Sequence, residues 1–422
     1  MAIKLMLLSH LPVRDELPDT LFAHSLASED VLVWKYPILA DCRSAICLIK
    51  PDIVIVPEVR LEFTRDLVKN LKEWGVKVVQ KRCEMGISSD TKAKNDLKNC
   101  ILGNVEWWPY IDIDLVWGQD FANMLIKYGV PEDKIKVIGS INIDPYFVAQ
   151  PSRTEHNQKR ILFAGGFGYA DSNPLYAAPE AKPGEKIHID LVKNDRENRV
   201  IFQTMMGEIM KKFPQYEYGI RGHPGEIATE YLQVYPTLKN IEGCITPLAI
   251  EWADIIIHTG STMAFESHLL NKPTFNFKNT SMDKVIGQIA PIANNIEELV
   301  KYLESVELGK SNANLKIIER LEQYYGPIDG KACERAKKVI METPIRKTNI
   351  PNEWPKDEIK YPNDGVYTNL FEWNCNTCKN KFHAQASRTQ IKCPYCGIAN
   401  VQRRFLVHKT LDGEEKWTQV QN

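Results

Sequence analysis

The chain has 422 residues and a formal net charge of −1. This length is enough for two sizeable domains and a small third module, and the near-neutral charge gives no electrostatic reason to expect nucleic acid as a partner. Hydrophobic residues make up 44% and charged residues 25% of the chain, as in ordinary soluble globular proteins, and no apolar run approaches the roughly 20 residues that a membrane-spanning helix needs.

The first part of the chain, residues 1–150, alternates short apolar runs with amphipathic stretches. The run Met1–Leu11 is too short for a signal peptide and lacks a small-residue cleavage site, so it predicts a first strand. Stretches such as Leu61–Trp74 have apolar residues at helical spacing. This alternation predicts a Rossmann-like α/β lobe with buried parallel strands. We expect its strands at Ile3–Leu8, Val31–Trp34, Ile53–Val56, Val76–Val79, Leu115–Trp117 and Ile135–Ile138.

The alternation restarts after the polar, turn-rich stretch Gln150–Gln158, which predicts a second lobe over residues 151–343. Its predicted strands are Ile161–Ala164, Tyr216–Ile220, Ile255–His258 and Thr274–Phe277. Its predicted helices are Asn198–Phe213, Glu226–Val234, Ala264–Leu270, Ile296–Val306, Asn312–Tyr325 and Lys331–Met341. A proline-punctuated linker over 344–365 leads to a compact module at 366–410.

Four stretches of the second lobe lie where a predicted strand ends and a loop or helix begins. In an open α/β sheet this is the edge where ligands bind. Together they predict a site for the phosphate of a nucleotide. The stretches are Gly165-Gly166-Phe167-Gly168, Arg221-Gly222-His223-Pro224, Gly260-Ser261-Thr262 and, one helical turn later, Glu266.

Each stretch has a functional and a purely structural interpretation. The glycines could let backbone amides approach a phosphate, or they could only shape a strand–helix turn. Ser261 and Thr262 could bind an anion with hydroxyls and helix-start amides, or they could cap the helix. Glu266 could accept both hydroxyls of a ribose, or it could complement the helix dipole.

The histidine of the second stretch has the same two interpretations. A lone histidine is usually structural, but Pro224 fixes the turn beside His223 and Arg221 adds a positive charge. Near an anion the pKa of this imidazole would rise, and its cation could stabilise a departing phosphate.

The motifs also resemble a known family over residues 1–342. They resemble the bacterial surface carbohydrate biosynthesis proteins and, more widely, GT-B glycosyltransferases that use CMP-activated sugars, such as bacterial sialyltransferases and Kdo transferases. The first lobe carries Val13-Arg14, Cys83-Glu84-Met85-Gly86, Val116-Trp117-Gly118 and Gly139-Ser140 with Asp144. The later motifs are Phe167–Asp171, Arg221–Glu226, Ser261-Thr262 with Glu266, Tyr325-Gly326 and Asp329–Ala332.

The resemblance implies a GT-B fold and a cytoplasmic glycosyltransferase, at most peripheral to the inner membrane face, whose catalysis needs no metal. It implies a nucleotide-sugar donor, with CMP favoured, and a saccharide or lipid-linked acceptor in polysaccharide biosynthesis. His223 and Ser261-Thr262 would hold the phosphate and Glu266 the ribose. Gly165-Gly166 departs from the more polar residues expected in this family, which leaves the shape of the donor sugar open.

A transferase needs a base for its acceptor, or a nucleophile if configuration is retained. Glu84, after the strand Val76–Val79, is the first candidate base, and Glu58 is the second; either could instead be a solvated loop carboxylate. Asp171, beside the glycine loop, could be a nucleophile or a turn residue. Asp112-Ile113-Asp114 looks like a metal-binding pair, but it leads into a strand instead of ending one.

Four of the ten cysteines form two closely spaced pairs near the C-terminus: Cys375, Cys378, Cys393 and Cys396. This spacing predicts a structural zinc ribbon with four thiolate ligands, with iron or a redox dithiol as alternatives. Such a closed site has no open position for catalysis, so the module could instead dock a protein partner. Together with the scattered remaining cysteines, this usage indicates a reducing cytosol.

Other functions also fit the chain. A CDP-polyol phosphotransferase would also use a histidine near a cytidylyl leaving group, and a sugar-nucleotide epimerase would need no acceptor. A non-catalytic scaffold, whose zinc ribbon recruits partners, would bind no nucleotide at all.

Overall fold

The structure of the protein is a computed structural model in which the chain divides into two compact units. The first unit comprises Met1–Phe167, Glu197–His223 and Ile227–Lys356, and the second comprises Gly168–Arg196, Pro224–Glu226 and Asp357–Asn422. The described residues are 2–9, 12–38, 42–57, 62–82, 105–148, 158–168, 170, 186–223, 226, 229–241, 246–278, 290–307, 316–355, 370–375, 381–385, 401–409 and 415–419. No helix in these ranges is both long and apolar enough to cross a membrane.

The first lobe is a parallel α/β layer structure inside the first compact unit. Its strands are β1 (Ile3–Ser9), β2 (Val31–Pro37), β3 (Ile53–Val56), β4 (Lys77–Lys81), β5 (Ile113–Val116) and β6 (Ile135–Val137). Its helices are α1 (Pro12–Leu26), α2 (Cys42–Ile49), α3 (Glu62–Glu73), α4 (Gln119–Lys127) and the short α5 (Pro145–Val148). The strand order is β2-β1-β3-β4-β5-β6.

Strand β3 shows why an apolar run becomes a central strand here. All four of its residues are apolar and fully buried. Val54 and Val56 belong to one hydrophobic core, whereas Ile53 and Ile55 belong to the core on the opposite face. Because helices cover both faces of the sheet, alternation of apolar and polar residues is lost, as expected for a buried parallel strand.

The second lobe repeats this architecture in the same compact unit. Its strands are β7 (Arg160–Ala164), β8 (Glu217–Arg221), β9 (Lys239–Asn240), β10 (Ile255–His258), β11 (Thr274–Phe277) and β12 (Ile292–Ala293), in the order β12-β11-β10-β7-β8-β9. The helices are α6 (Lys186–Lys212), α7 (Thr229–Val234), α8 (Thr246–Trp252), α9 (Met263–Leu269), α10 (Ile296–Glu307), α11 (Lys316–Tyr325) and α12 (Ala332–Glu342). The predicted fold class, two Rossmann-like α/β lobes, is confirmed.

The last helix, α12, packs on the first lobe. Ala336 and Ile340 lie in the core that covers one face of the first sheet. The carboxylate of Asp144 accepts hydrogen bonds from the amides of Ala332, at 3.1 Å, and Cys333, at 2.7 Å. Asp144 therefore satisfies amides at the start of α12 that have no partner within the helix. This contact fixes the start of α12 to the first lobe.

Tyr325, at the end of α11, links the two lobes through stacked rings. Its ring centroid lies 5.6 Å from that of Trp117, after β5, and 4.0 Å from that of Phe265 in α9. Close backbone contact supports the stack, because a Cβ on Gly118 would lie 2.2 Å from the carbonyl oxygen of Gln323. The helix that carries Glu266 is thus packed indirectly against the first lobe.

The second compact unit contains an antiparallel sheet near the C-terminus. Its strands are β13 (Leu370–Cys375), β14 (Lys381–Gln385), β15 (Val401–Lys409) and β16 (Glu415–Gln419), in the order β14-β13-β15-β16. Cys375 pairs with Val401 at the start of β15. The other three predicted zinc ligands lie outside the described residues, so the zinc ribbon stays a prediction.

Candidate functional site

Three neighbouring strands of the second sheet end at the same edge. Strand β7 lies between β10 and β8 and is parallel to both. The chain runs from β7 through β8 to β9 on one side and then crosses to β10 on the other, so the strand order reverses between β7 and β10. Ligands of open α/β sheets bind in the crevice at such a reversal. The predicted stretches after β7, β8 and β10 therefore share the edge that favours ligand binding.

The glycines after β7 fit between the ends of the two neighbouring strands. The Gly165 amide donates to the carbonyl oxygen of Arg221 at 2.9 Å. A Cβ on Gly166 would lie only 2.6 Å from the carbonyl oxygen of Thr259, in the turn after β10. The absent side chain therefore allows these loops to contact each other closely. Gly168 belongs to the second compact unit.

Two buried side chains hold the turn after β10. Asn276, on β11, accepts a hydrogen bond from the Gly260 amide through Oδ1 at 3.1 Å. His258 accepts one from the Ser261 amide through Nδ1, also at 3.1 Å. Ser261 Oγ in turn accepts a hydrogen bond from the amide of Met263 at 3.2 Å, so this side chain also caps the start of α9. The Ser261 hydroxyl proton and the hydroxyl of the exposed Thr262 are the side-chain groups that the turn presents to a ligand.

His258 is held as a neutral imidazole of one tautomer. It is fully buried, and burial lowers its pKa to about 3. Since Nδ1 accepts the Ser261 amide, the ring proton is on Nε2. Among the described residues, neither His258 Nε2 nor Asn276 Nδ2 has a hydrogen-bond partner. Each of these side chains therefore serves the turn with one polar atom and leaves the other unsatisfied.

Arg221 ends β8 and extends towards the start of α8. Its Nη2 donates to Thr246 Oγ1 at 3.1 Å, and its side chain is only partly buried. Glu266 lies in the first turn of α9, as predicted, and is also partly buried. The hydroxyl of Tyr146, on α5, lies close to both charged groups. Burial and the Glu266 carboxylate raise its pKa well above the ordinary value, whereas Arg221 lowers it.

His223 follows β8 by two residues and is partly exposed, so its imidazole is not sealed in a packed core. Pro224 lies outside the described residues. The candidate catalytic carboxylates Glu84 and Asp171, and the second-choice base Glu58, also lie outside them. Their roles stay predictions.

The first sheet ends in a different kind of charged cluster. Arg82, after β4, is fully buried and binds Asp114 through two hydrogen bonds, Nη2–Oδ2 at 2.7 Å and Nε–Oδ1 at 3.0 Å. The neighbouring Lys81 forms a buried ion pair with Asp19 of α1. Asp112 accepts the amide of Val78 at 3.0 Å. Asp112 lies just before β5 and Asp114 within it, so these carboxylates bond to groups at opposite ends of β4.

Four residues of the second-lobe site were not predicted from the sequence: Tyr146, Thr246, His258 and Asn276. A polar residue that ends or interrupts an apolar strand was the available signal for two of them. His258 follows three isoleucines, and Asn276 lies between two phenylalanines. No comparable signal marks Tyr146 or Thr246, because short helices carry both. No cluster of metal-binding side chains occurs within the described part of the chain.

The fold is similar to solved structures of sugar-nucleotide enzymes. UDP-GlcNAc 2-epimerase from Neisseria meningitidis, bound to UDP-GlcNAc, matches with a TM-score of 0.54 and 13% identity, over 81% of this chain and 100% of that one. The Methanocaldococcus jannaschii UDP-GlcNAc 2-epimerase matches at 0.52 and 14% identity, over 81% and 100%. A variant of the wall teichoic acid polymerase TagF matches at 0.50 and 12% identity, over 81% and 88%.

The fold is GT-B-like. At these identities the likeness concerns the architecture alone. No protein-family model and no curated protein sequence matches the chain. The site residues of this GT-B-like chain are therefore argued from their own geometry.

Proposed function

We propose that the chain is an enzyme that binds a nucleotide-activated sugar at the carboxyl edge of its second sheet and transfers the sugar to an acceptor in surface polysaccharide assembly. One observation carries the proposal. At the point where the strand order reverses, the loops after β7 and β10 touch through Gly166 and Thr259, and Arg221 ends the adjacent β8 with Glu266 nearby.

The roles follow from the chemistry of a nucleotide. Arg221 and His223 would face the negatively charged phosphates, with hydroxyls from Ser261 and Thr262 donating to phosphate oxygens. Glu266 would accept the two hydroxyls of the ribose. Positive charge placed at the phosphate stabilises the leaving group when the bond to the sugar breaks.

The first lobe would supply the acceptor side. Glu84 would remove the proton from the acceptor hydroxyl, with Glu58 as the alternative base. Asp171, beside the glycine loop of the second lobe, is the candidate nucleophile if configuration is retained. The acceptor would be a saccharide or a lipid-linked saccharide. The donor nucleotide is proposed as CMP, with UDP as its competitor because the named ligand of the Neisseria meningitidis neighbour is UDP-GlcNAc.

An epimerase is the second candidate function. Two of the neighbours are UDP-GlcNAc 2-epimerases, and they match this chain over their whole length. An epimerase converts its sugar nucleotide without any acceptor, whereas a transferase releases the free nucleotide only when an acceptor is present. Incubation of the protein with UDP-GlcNAc and with a CMP-linked sugar, each with and without saccharide acceptors, separates the two reactions.

Nucleotide binding is the first experiment. A ligand at one hundred times its dissociation constant adds about 2.7 kcal/mol to stability, so thermal unfolding with CMP, CDP, UDP and GDP would show which base is preferred. A shift with UDP but not CMP would exclude the CMP donor and keep the enzyme class. The absence of any shift would favour the scaffold, and a phosphodiester product would favour the phosphotransferase.

His223 gives the matching test of mechanism. His223→Ala should abolish turnover with little change in the unfolding temperature, because the side chain is partly exposed. Full turnover in this variant would remove His223 from the mechanism.

We also propose that the C-terminal module binds a structural zinc ion through Cys375, Cys378, Cys393 and Cys396. Its sheet supports this, because Cys375 at the end of β13 pairs with Val401, which follows Cys396 by five residues in the sequence. Elemental analysis of the purified chain should give one zinc per molecule. Loss of that zinc in a Cys393→Ser, Cys396→Ser variant would link the metal to the cysteine pairs.

A further inference from the structure

The hydroxyl of Tyr146 is a buried polar group whose presence needs an explanation. Tyr146 is 8% exposed, and its Oη forms no hydrogen bond of good geometry with a described residue, although the Glu266 carboxylate is near enough to interact with it. A buried donor without a partner is costly, because it has lost its hydrogen bonds to water. A phenylalanine would fill the same space without that cost. The hydroxyl is thus expected to serve something other than folding.

Tyr146 belongs to a hydrophobic cluster that includes residues of both helices of the site. The cluster contains Ala249 and Ile250 of α8 and Met263 of α9. On α8, Ala249 lies about one turn after Thr246, whose hydroxyl accepts a hydrogen bond from the Arg221 guanidinium.

The same spacing holds on α9, where Met263 lies about one turn before Glu266 on the same side of the helix. The cluster that contains Tyr146 therefore includes residues one helical turn from Thr246 and from Glu266. The Tyr146 hydroxyl interacts with both Glu266 and Arg221, since both groups shift its pKa.

The surroundings of the hydroxyl fix its protonation state. Burial is the main cause that raises the pKa of Tyr146, and the Glu266 carboxylate raises it further. The phenol therefore keeps its proton over the whole working range of pH and can act as a hydrogen-bond donor. A carboxylate beside a protonated phenol is its natural acceptor.

We propose that Tyr146 is a positioning residue that orients Glu266 for the ribose of a bound nucleotide. The inference rests on the proposed nucleotide site and adds to it Tyr146 from α5, the last helix of the first lobe. With the nucleotide bound, the hydroxyl donates to one oxygen of the Glu266 carboxylate. The other oxygen then faces the two ribose hydroxyls.

Stability and affinity respond differently to loss of this hydroxyl. Removal of a hydroxyl that lacks a partner does not weaken the folded state, but removal of the support for a binding carboxylate weakens ligand binding. Tyr218 is the matched control. Its buried hydroxyl donates to the carbonyl oxygen of Phe213 at 2.6 Å, so it stabilises the fold without serving the site.

The experiment compares Tyr146→Phe and Tyr218→Phe in the full chain, with CMP, CDP and UDP as probes. Thermal unfolding gives the stability without nucleotide, and calorimetric titration gives the dissociation constant. Tyr146→Phe should unfold at the wild-type temperature or above it and bind the nucleotide about fivefold to tenfold more weakly. Tyr218→Phe should unfold at a lower temperature and bind as the wild type does.

A double-mutant cycle tests whether Tyr146 acts through Glu266. In a Glu266→Ala background, which has no side-chain acceptor, the further change Tyr146→Phe should alter the dissociation constant less than about twofold, because coupled residues are not additive. Wild-type affinity in Tyr146→Phe, or its full loss of affinity repeated in the Glu266→Ala background, would overturn the role of Tyr146 and leave the proposed function intact. A wild-type chain that binds none of the probes would overturn both.

Discussion

The two parallel sheets both place cations where a strand ends, but they use them differently. After β4 of the first sheet, Arg82 is fully buried and both of its hydrogen bonds to Asp114 are charge-assisted. At the end of β8 in the second sheet, Arg221 is partly exposed and its guanidinium donates to the neutral hydroxyl of Thr246. A fully buried ion pair serves the fold, whereas a partly exposed cation can still be contacted by a ligand from solvent. Burial, and not the residue type, distinguishes the two.

The largest loss of stability is expected at the end of β4 in the first sheet. Asp114→Ala would leave the Arg82 cation buried without its partner, which costs about 3–5 kcal/mol of unfolding free energy. Urea unfolding of the variant measures this loss. The control is Glu217→Ala, which removes the partly exposed partner of Arg160 and should cost about 1 kcal/mol or less. Equal losses of unfolding free energy in the two variants would show that burial does not decide how much these ion pairs contribute to stability.

At the carboxyl edge of the second sheet, His258 is buried and neutral, so its contribution to folding stability depends on pH. The pKa of His258 is about 3 in the folded chain and about 6.5 when unfolded. Between these values only the unfolded chain binds the proton, so the contribution of His258 to stability is present above pH 6.5 and is lost as the pH falls towards 3.

From pH 7 to pH 5 this linkage costs the wild type about 2 kcal/mol. His258→Asn keeps a hydrogen-bond acceptor near the Ser261 amide but has no titrating group. The variant should therefore lose less stability than the wild type over the same interval in urea unfolding. Parallel losses in the two proteins would show that His258 titrates normally and is not sealed in the core.

A smaller loss of stability is expected at Gly166, where only backbone atoms form the edge of the second sheet. Gly166→Ala places a Cβ against the carbonyl oxygen of Thr259, so the loop after β7 must move. We expect a loss of about 1 kcal/mol in stability and a roughly tenfold loss of nucleotide affinity, equivalent to about 1.4 kcal/mol. Urea unfolding and calorimetry measure the two quantities. Unchanged affinity would place the ligand away from the reversal between β7 and β10.

Much of the fold could be predicted from the sequence, because continuous apolar runs mark buried parallel strands. The predicted strands Ile53–Val56, Ile255–His258 and Thr274–Phe277 have the observed bounds. Helix α6 begins at Lys186, twelve residues before the predicted start at Asn198. Ile187, Ile189 and Leu191 alternate with polar residues, which is the spacing of a strand and not of a helix, and the polar stretch 193–198 follows them. The short helices α5 and α8 were missed, since four and seven residues are too few for a periodic pattern.

Only those site residues that lie near the ends of predicted strands could be identified from the sequence. Arg221 was found because it directly follows the predicted strand Tyr216–Ile220, and Glu266 because it lies in the first turn of the predicted helix after Ser261 and Thr262. Tyr146 and Thr246 reach the site through contacts between separate segments of the chain, and sequence periodicity carries no information about such contacts. The contributions of these two residues therefore emerged only from the structure.

Titration of nucleotide into the wild type, Arg221→Ala and Arg160→Ala is the decisive test of a nucleotide site at the carboxyl edge of the second sheet. Arg160 lies at the amino end of β7, on the opposite edge of the same sheet, and controls for the loss of a charge. We expect the wild type to bind CMP or UDP and Arg160→Ala to bind as the wild type does. Arg221→Ala should bind about tenfold to a hundredfold more weakly, because a charged hydrogen bond is lost. Equal affinity in Arg221→Ala and the wild type, or no binding by the wild type, would contradict a nucleotide site at this edge.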